Sequence, residues 1–380
     1  MTIGREDDRH PGAGRDPVSA SDRVTYRALV RPHGARHVEV IDQRSLPHAL
    51  VRVRIADDKT AALAIRQMWV RGAPLIGAVG AYGLAMALDR DASDESLARA
   101  HAALDATRPT AVNLRWALDR VRAAVQPLAS ERRADAAWLE ADAIVAEDCA
   151  INRSIGRHGL SLLREVVRRR PGPIQVMTHC NAGALATCAW GTATAPVFLA
   201  HDEGIPVHVW VSETRPRLQG ANLTAWEMAQ RGIPYTLCAD AASAALMHRG
   251  DVDIVLVGAD RAAANGDVCN KIGTYDKALA ARDNDVPFYV ALPSPTIDWR
   301  TQSGSGIPIE ERDGEEIVEV TGRARDGKLT RIEIAPPGAR AVNLAFDVTP
   351  ARLVTGLITE RGVARASPEG LAALFPELVL

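Results

Sequence analysis

The spacing of the apolar residues changes near residue 150. From about residue 45 to residue 160 they recur at helical spacing, and strand-like alternation is weak after Val53. This half is therefore predicted to be mainly helical, with a little strand near its start. The helix that begins near Ala136 has no breaker before Gly156, so we place a domain boundary near residue 150.

Beyond Pro171, short runs of β-branched residues alternate with alanine-rich stretches of helical spacing. The predicted strands cover residues 174–178, 207–211, 235–238, 252–257 and 288–292. Helices are predicted over residues 184–190, 223–230 and 241–248. Strands joined by helices require parallel crossovers, so the pattern predicts a doubly wound sheet with helices on both faces.

The predicted fold class is α/β, with a doubly wound, mainly parallel Rossmann-like sheet in the C-terminal domain and a smaller, mainly helical N-terminal domain. Residues 1–24 are predicted to be a disordered tail, because they combine prolines, glycines and charges without an apolar run. The N-terminal domain is then assigned to residues 25–150, and the C-terminal domain to residues 151–380.

The 380 residues carry 45 basic and 47 acidic side chains, which gives a formal net charge of −2. This balance argues against a nucleic-acid partner, for which a basic patch is expected. The uncharged stretch at residues 171–201 is broken by prolines and glycines, so no membrane span is predicted. The five cysteines form no C-x-x-C pair, which favours a reducing cytoplasm over a disulfide framework or a zinc site.

In doubly wound sheets the ligand lies outside the carboxyl ends of the strands. This rule selects the polar side chains that follow the predicted strands: His179, Cys180, Asn181, Glu213, Thr214, Asp240, Asp260, Arg261, Ser294 and Asp298. No G-x-G-x-x-G motif follows a strand and no P-loop motif occurs, which disfavours dinucleotide oxidoreductases and P-loop enzymes.

Cys180 and Asp260 are the main candidates for chemistry. Cys180 opens a predicted helix, whose dipole favours a thiolate or strengthens the thiol as a donor; a small buried hydrophobe is the alternative. Asp260 ends the most apolar strand, where burial raises the pKa of a carboxyl; a salt bridge to Arg261 is the alternative. Asp240 is either functional or the cap of the following helix, and His179 is interpreted as structural.

Three positions are candidates for binding an anion. Arg71 precedes Gly72, Ala73 and a predicted helix start, which would offer a guanidinium and backbone N–H groups to a phosphate. Arg108 and the pair Asn270-Lys271 are the other two candidates. Only four of the 45 basic residues are lysines: Lys59, Lys271, Lys277 and Lys328. Codon bias explains this scarcity in general, but the compact charge of Lys271 suits a phosphate, whereas Lys277 is predicted to lie on the surface.

Several segments together resemble the methylthioribose-1-phosphate isomerases. They are residues 70–74, 108–114, 178–183, 218–221, 258–261 with 270–271, 307–312 and 345–350, and the resemblance extends over about residues 25–365. It implies an aldose–ketose isomerase that converts 5-methylthioribose 1-phosphate into 5-methylthioribulose 1-phosphate in methionine salvage. It also implies a homodimer that uses no metal or organic cofactor. The same superfamily contains regulatory subunits of the exchange factor for eukaryotic initiation factor two.

The resemblance also implies a role for each matching residue. Asp260 is the proton donor, and Cys180 stabilises the transition state. The phosphate and the sugar hydroxyls are held by Arg71, Gly72, Ala73, Arg108, Gln219, Asn270 and Lys271. Because phosphate on the anomeric oxygen prevents spontaneous ring opening, the enzyme must assist that step. Either a cis-enediol or a hydride shift follows.

Two departures from the family pattern concern the substituent at C5 of the sugar. Asn222 stands where the resemblance leads us to expect an arginine, and Trp299-Arg300 stand where smaller or apolar residues are usual. The alternative substrates are therefore 5-deoxyribose 1-phosphate and ribose 1,5-bisphosphate. Arg300 is the one feature that favours a second phosphate. A regulatory subunit without catalysis is a further alternative.

Overall fold

The computed structural model describes residues 26–108 and 111–378. The predicted tail at residues 1–24, together with Pro109 and Thr110 of one motif, lies outside the described residues. Within the described part of the chain, no helix has the length and apolar character that crossing a bilayer requires.

The N-terminal part of the chain is mainly helical, as predicted. A small antiparallel sheet comprises β1 (Leu29–Val30), β2 (Val38–Ile41) and β3 (Arg52–Ile55). The helices are α1 (Asp58–Arg66), α2 (Ala73–Arg90), α3 (Asp94–Asp105), α4 (Val112–Val125) and α5 (Ser130–Arg169). Since α2 is apolar on all sides, it is buried among α1, α4 and α5.

Helix α5 links the two parts of the chain. It runs without interruption from Ser130 to Arg169, so residue 150 lies inside a continuous helix. Its first half contributes Trp138 and Ile144 to the core of the N-terminal helices. Its second half contributes Ile155 and Leu163 to a separate core under the large sheet. The core therefore changes between Ile144 and Ile155, and a division of the chain near residue 150 stays a prediction.

The C-terminal part contains the remaining strands. They are β4 (Ile174–Thr178), β5 (Val207–Ser212), β6 (Tyr235–Cys238), β7 (Ile254–Val257), β8 (Arg261–Ala263), β9 (Val268–Lys271), β10 (Phe288–Ala291), β11 (Ile297–Asp298), β12 (Glu319–Arg323), β13 (Leu329–Glu333), β14 (Phe346–Thr349), β15 (Gly356–Thr359) and β16 (Gly362–Ala364). Its helices are α6 (Ala195–Asp202), α7 (Ala225–Arg231), α8 (Ser243–His248), α9 (Thr274–Asp283), α10 (Glu315–Val318) and α11 (Pro368–Leu374).

A seven-stranded sheet has the order β16-β15-β10-β7-β4-β5-β6, and its neighbours are parallel except for β15 and β16. The predicted α/β class is thus confirmed. Strands β4 and β6 have their predicted bounds, and β5, β7 and β10 agree with theirs within two residues. The β15–β16 hairpin extends the sheet beyond the five predicted strands.

A second, four-stranded sheet with the order β11-β8-β9-β14 follows directly from β7 and was not predicted. It is built from very short strands, β8 and β11 having three and two residues, which leave little alternation for a sequence pattern to show. Its register places Lys271 opposite Phe346. Strands β12 and β13 form a separate antiparallel hairpin.

The predicted helix at residues 184–190 is wrong. The chain there forms turns, and the next helix, α6, begins at Ala195. The backbone N–H groups of Ala184 and Leu185 donate to the Glu227 carboxylate, at 2.8 and 3.0 Å, instead of entering a helical ladder. Cys180 has a φ of +61°, so it starts a turn rather than a helix. The argument from a helix dipole therefore does not apply to its thiol.

Candidate active site

The order in which the chain adds strands to the large sheet changes direction after β6, so a switch point lies between the neighbouring strands β4 and β7. After β4 it adds β5 and β6 on one side, and then β7, β10 and β15 on the other. At such a switch point a crevice opens outside the carboxyl ends of the strands. Cys180 follows β4 and Asp260 follows β7. The two main candidates for chemistry therefore lie on neighbouring strands, where the fold places a ligand.

Five of the predicted site residues form one electrostatic cluster. Burial raises the pKa of Asp260, against the lowering effects of Lys271, Arg71 and Arg108. Burial also raises the pKa of the Cys180 thiol, which Arg71 and Lys271 oppose. The pKa of Lys271 is lowered by burial, and Cys180 and Asp260 oppose that shift. The structure thus brings one carboxyl, one thiol and three cations together.

These shifts determine which protonated forms the cluster favours. A raised pKa favours the protonated carboxyl of Asp260, which is the form that donates a proton. The Cys180 thiol is also held in its protonated form, so it acts as a weak hydrogen-bond donor in a dry site. The carboxyl is therefore suited to exchange protons with the oxygens of a neutral sugar. The thiol is suited to stabilise a charge that develops during the reaction.

Arg71 reaches the end of β4 from the N-terminal helices. Its guanidinium donates to Asn181 Oδ1 at 2.5 Å and to the Asn181 carbonyl at 2.7 Å, and Nη2 lies 4.0 Å from Cys180 Sγ. Asn181 is held in turn by its Nδ2, which donates to Glu227 Oε1 at 2.9 Å. This chain of contacts fixes a cation beside the thiol.

Gly72 shapes the start of α2 next to Arg71. It has a φ of +96°, and a Cβ at this position would lie 2.4 Å from the carbonyl oxygen of Ala186. Only glycine tolerates both the conformation and the close approach. Gly72 and Ala73 line a cleft together with Arg108 and Asp260. The first turn of α2 therefore faces the cluster, where the positive end of its dipole favours an anion.

Lys271 enters the cluster from the second sheet. Its Nζ donates to the carbonyl of Ala345 at 2.5 Å and lies 4.7 Å from the centre of the Phe346 ring. The neighbouring Asn270 is buried, and its Nδ2 donates to Thr274 Oγ1 at 3.0 Å. Among the described residues the Ala345 carbonyl takes one of the three N–H donors of the ammonium, and the others can serve a ligand.

Two buried polar atoms of the predicted site lack a hydrogen-bond partner among residues 26–108 and 111–378. They are Gln219 Oε1 and Arg108 Nε. Arg108 is otherwise paired with Glu310, its Nη2 lying 3.2 Å from Oε2. A buried polar atom without a partner costs about 1–3 kcal/mol. Both atoms are therefore suited to a polar ligand that supplies the missing contact.

The cleft has an apolar wall as well as a charged one. Ile76, Ile307, Pro308 and Phe346 line it beside Arg108 and Asp260. Trp299 and Arg300 line an adjoining cavity of 920 Å³ between α4, α5 and residues 294–300, which shares Ala111, Arg261 and Pro308 with the cleft. Trp299 packs against Phe375 there, with ring centres 5.9 Å apart. Neither Trp299 nor Arg300 lines the cleft itself, so their effect on the pocket for the C5 substituent stays a prediction.

Lys277 is buried, so its prediction as a surface residue is wrong. Only 2% of it is exposed, and its Nζ lies 3.9 Å from Asp240 Oδ1. Asp240 is not a helix cap either, because it accepts hydrogen bonds from the Ser212 hydroxyl and from the Thr214 and Arg215 N–H groups. Lys277 neutralises the carboxylate that ties down the loop after β5. Its partner comes from a distant part of the sequence, which explains why the helix pattern did not reveal it.

His179 lies behind the cleft. It is buried, and its Nε2 is 2.7 Å from the carbonyl of Ile272. Burial lowers its pKa to about 3, so the ring is neutral and Nε2 donates to the carbonyl. The ring connects the end of β4 with the segment that follows Lys271.

The structure adds residues that were not assigned to the site. Glu227 holds Asn181 and the turn after it, Glu310 pairs with Arg108, and Phe346 lies under Lys271. Glu310 and Phe346 belong to segments 307–312 and 345–350, which were singled out only as parts of the resemblance. Glu227 lies in α7, and no local sequence pattern marks it as a site residue. In the part of the chain that the structure describes, no group of three or more His, Cys, Asp or Glu side chains is arranged to hold a metal ion.

Residues 69–366 match the family model described as the Initiation factor 2 subunit family. A methylthioribose-1-phosphate isomerase of Rhizobium meliloti (strain 1021) is 59% identical over 355 residues, which cover 93% of this chain and 98% of the relative. The relative of the same name from Methylorubrum populi is 56% identical over 94% of this chain and 98% of its own length.

Two solved structures resemble this fold over nearly its whole length. The crystal structure of 5-methylthioribose 1-phosphate isomerase from Pyrococcus horikoshii OT3 has a TM-score of 0.80 and 37% identity, covering 95% of this chain and 99% of that one. The crystal structure of translation initiation factor eIF-2B, subunit delta, from A. fulgidus has a TM-score of 0.76 and 37% identity, covering 93% and 99%.

Proposed function

The chain belongs to the Initiation factor 2 subunit family and, within it, to the methylthioribose-1-phosphate isomerases, and on that premise we propose that it converts 5-methylthioribose 1-phosphate into 5-methylthioribulose 1-phosphate. The observation that carries this proposal is the cleft at the switch point. Asp260 and Arg108 line this cleft beside an apolar wall, and Cys180, Arg71 and Lys271 are close enough to Asp260 to interact with it electrostatically. The step belongs to methionine salvage.

The reaction needs one proton donor that is restored within the cycle. Asp260 donates a proton to the ring oxygen as the bond between that oxygen and C1 breaks. It then accepts the proton of the 2-hydroxyl as the C2 carbonyl forms. The hydrogen on C2 moves to C1 either directly as a hydride or, through an enediol, as a proton that a base removes from C2 and returns to C1, so atoms and electrons balance. Burial, which raises the pKa of Asp260, favours the protonated form that begins this sequence.

The remaining site residues bind and orient the sugar phosphate. Arg71, Lys271 and the first turn of α2 with Gly72 and Ala73 would hold the phosphate, because they combine two cations with a helix N-terminus. Gln219, Asn270 and Arg108 would bind hydroxyl or phosphate oxygens, since Gln219 Oε1 and Arg108 Nε are buried without a partner among the described residues. The Cys180 thiol would stabilise charge that develops at C1 and C2.

The apolar wall favours a methylthio group at C5. Ile76, Ile307, Pro308 and Phe346 offer apolar contact, and burying a second phosphate against them is costly. Arg261 also lines the cleft, but its charge is paired with Asp298 at 3.4 Å. Arg300, the one residue that favoured ribose 1,5-bisphosphate, is exposed and lines the other cavity. 5-Deoxyribose 1-phosphate would lack most of the apolar contact.

Purified protein assayed with all three sugar phosphates tests this proposal. Formation of each ketose is followed by NMR, and kcat/KM is compared. We expect 5-methylthioribose 1-phosphate to be preferred over 5-deoxyribose 1-phosphate by about tenfold or more, the usual value of a small apolar contact. A strong preference for the bisphosphate would overturn the assignment. No turnover of any of the three would favour a regulatory subunit.

We further propose a homodimer in the cytoplasm. The edge strand β6 exposes Tyr235 and Leu237, 38% and 47% accessible, and exposed apolar edges favour association. The five cysteines are unpaired, as is usual in a reducing compartment. Light scattering of the purified protein should give twice the chain mass, and a monomer at micromolar concentration would contradict the assembly.

A further inference from the structure

The backbone of Cys180 is held in an unusual conformation. Its φ of +61° lies in the left-handed region, which costs a residue with a side chain roughly 1–2 kcal/mol. Because β4 ends at Thr178, the N–H and carbonyl of Cys180 lie outside the strand bounds. Each must find another partner, since Cys180 is buried. In both cases the partner is a threonine hydroxyl from the segment that follows β5.

Thr214 binds the N–H group of Cys180. The Cys180 N–H donates to Thr214 Oγ1 at 2.8 Å, and the same hydroxyl donates to the carbonyl of Ser212 at 3.0 Å. Its proton has two acceptors, the Ser212 carbonyl and, at 3.4 Å, His179 Nδ1, and its lone pair accepts from Cys180. Thr214 is fully buried, has a φ of +67°, and is tied by its own N–H to Asp240 at 2.8 Å. A β-branched residue is rarely found at such a φ.

Thr224 binds the carbonyl of Cys180. Its hydroxyl donates to that carbonyl at 2.6 Å and accepts from Asn181 Nδ2 at 3.2 Å. Thr224 is fully buried at the end of a π-helical turn, Gly220–Thr224, that leads into α7. Such turns occur often at functional sites. Since Asn181 also binds Arg71, the Thr224 hydroxyl contacts both the thiol residue and the residue that holds the cation.

We propose that Thr214 and Thr224 are positioning residues that fix Cys180 in its left-handed conformation and so hold its thiol beside Arg71, within the charge cluster of Asp260. The assignment rests on the proposed function, because the threonines act through Cys180. Neither hydroxyl lies among the residues that line the cleft. Their effect is therefore on the geometry of the thiol and not on contact with the sugar.

The two threonines have different expected kinetic effects. Thr214→Val keeps the shape of the side chain and removes the hydroxyl that holds the Cys180 N–H. We expect kcat to fall about 10- to 100-fold, the scale of a misplacement near 1 Å, while KM changes less than twofold. Thr224→Val should lower kcat similarly and raise KM as well, because it also removes the hydroxyl that accepts from Asn181, the residue that binds Arg71. Thr214→Ser and Thr224→Ser keep the hydroxyls and should recover most of the wild-type kcat.

A matched control is Thr359→Val. Thr359 is fully buried and its hydroxyl donates to the Gly362 carbonyl at 3.1 Å in the β15–β16 hairpin, away from Cys180. The Thr359→Val variant should lose stability to an extent similar to Thr214→Val and keep the wild-type kcat. Each variant is first compared with the wild type by its melting temperature, and activity is normalised to folded protein. If Thr214→Val does not fold, Thr214→Ala, which removes the hydroxyl without adding a second methyl in its place, is used.

The outcomes separate the two proposals. If the wild type does not isomerise 5-methylthioribose 1-phosphate, the proposed function fails. If the wild type is active and Thr214→Val keeps full kcat, or if the serine variants are as impaired as the valine variants, the positioning role is wrong while the function stands. An equal loss of kcat in Thr359→Val would also overturn it.

Discussion

Replacing Lys271 by methionine removes a buried cation from the cleft and leaves most of its aliphatic stem in place. Lys271 is 8% exposed, and its Nζ is held by the Ala345 carbonyl and by the face of Phe346. The substitution therefore changes charge more than packing. A hydrogen bond to a charged group contributes about 1.5–3 kcal/mol. At about 1.4 kcal/mol per factor of ten, KM should rise roughly 10- to 150-fold.

The same substitution should move the pH profile of the enzyme. Lys271 is the largest of the charges that lower the pKa of Asp260 against the effect of burial. Without that cation the pKa of Asp260 rises further, so the carboxylate form is lost at a higher pH. Because the protonated carboxyl begins the proposed reaction, activity is lost as the pH rises through the pKa of Asp260, and this alkaline limb of the kcat profile should shift to higher pH in Lys271→Met.

The assay is steady-state isomerisation measured between about pH 5 and pH 9, with Lys277→Met as the matched control. Lys277 is equally buried but lies beside Asp240, whose carboxylate keeps three other hydrogen bonds. That control should lose stability and keep its KM. A KM for Lys271→Met within twofold of the wild type, with an unmoved alkaline limb, would refute the assignment of Lys271 to the phosphate.

Three further predictions concern the reaction, the phosphate site and stability. Asp260→Asn and Cys180→Ser should lose nearly all turnover with an unchanged circular dichroism spectrum; full activity of either would end its assigned role. Gly72→Ala should cost about 2–4 kcal/mol in urea unfolding, from positive φ plus a Cβ 2.4 Å from a carbonyl oxygen. Gly232→Ala is the control, because Gly232 has a φ of +66° and a Cβ there would meet no described atom within 4 Å, so it measures the cost of the positive φ alone. An equal loss of unfolding free energy in the two variants would contradict the clash at Gly72. Burial raises the pKa of Asp148 to about 6, so its stabilising contribution is complete below about pH 4 and lost as pH rises through 6. Asp148→Asn should therefore be about 1–3 kcal/mol more stable than the wild type at pH 7, and equal melting temperatures there would refute this.

Much of the sheet could be predicted because its strands are short, apolar and β-branched. Residues 254–257 are all buried, and their carboxyl end leads to Asp260. The topological rule for parallel sheets then placed Asp260 and Cys180 in one crevice before any side chain was positioned. Arg71 and Gly72 were found in the same way, because a glycine before a proline at a helix start has a local signal.

The rest depended on contacts between distant segments. The turn at residues 184–190 looks helical, but Glu227 of α7 takes its N–H groups, and no local pattern reports that. Lys277 lies in an ordinary helix pattern and is buried because Asp240, in the turn after β6, neutralises it. The left-handed φ of Cys180 likewise follows from two threonines more than thirty residues away.

A crystal structure with 5-methylthioribulose 1-phosphate bound tests the central claim most directly. We predict that the phosphate lies on Arg71, Lys271 and the first turn of α2, the C2 oxygen faces Asp260 and Cys180, and the methylthio group contacts Ile76, Ile307 or Phe346. Binding of the sugar in the cavity beside Trp299, or with its phosphate away from Lys271, would contradict the account.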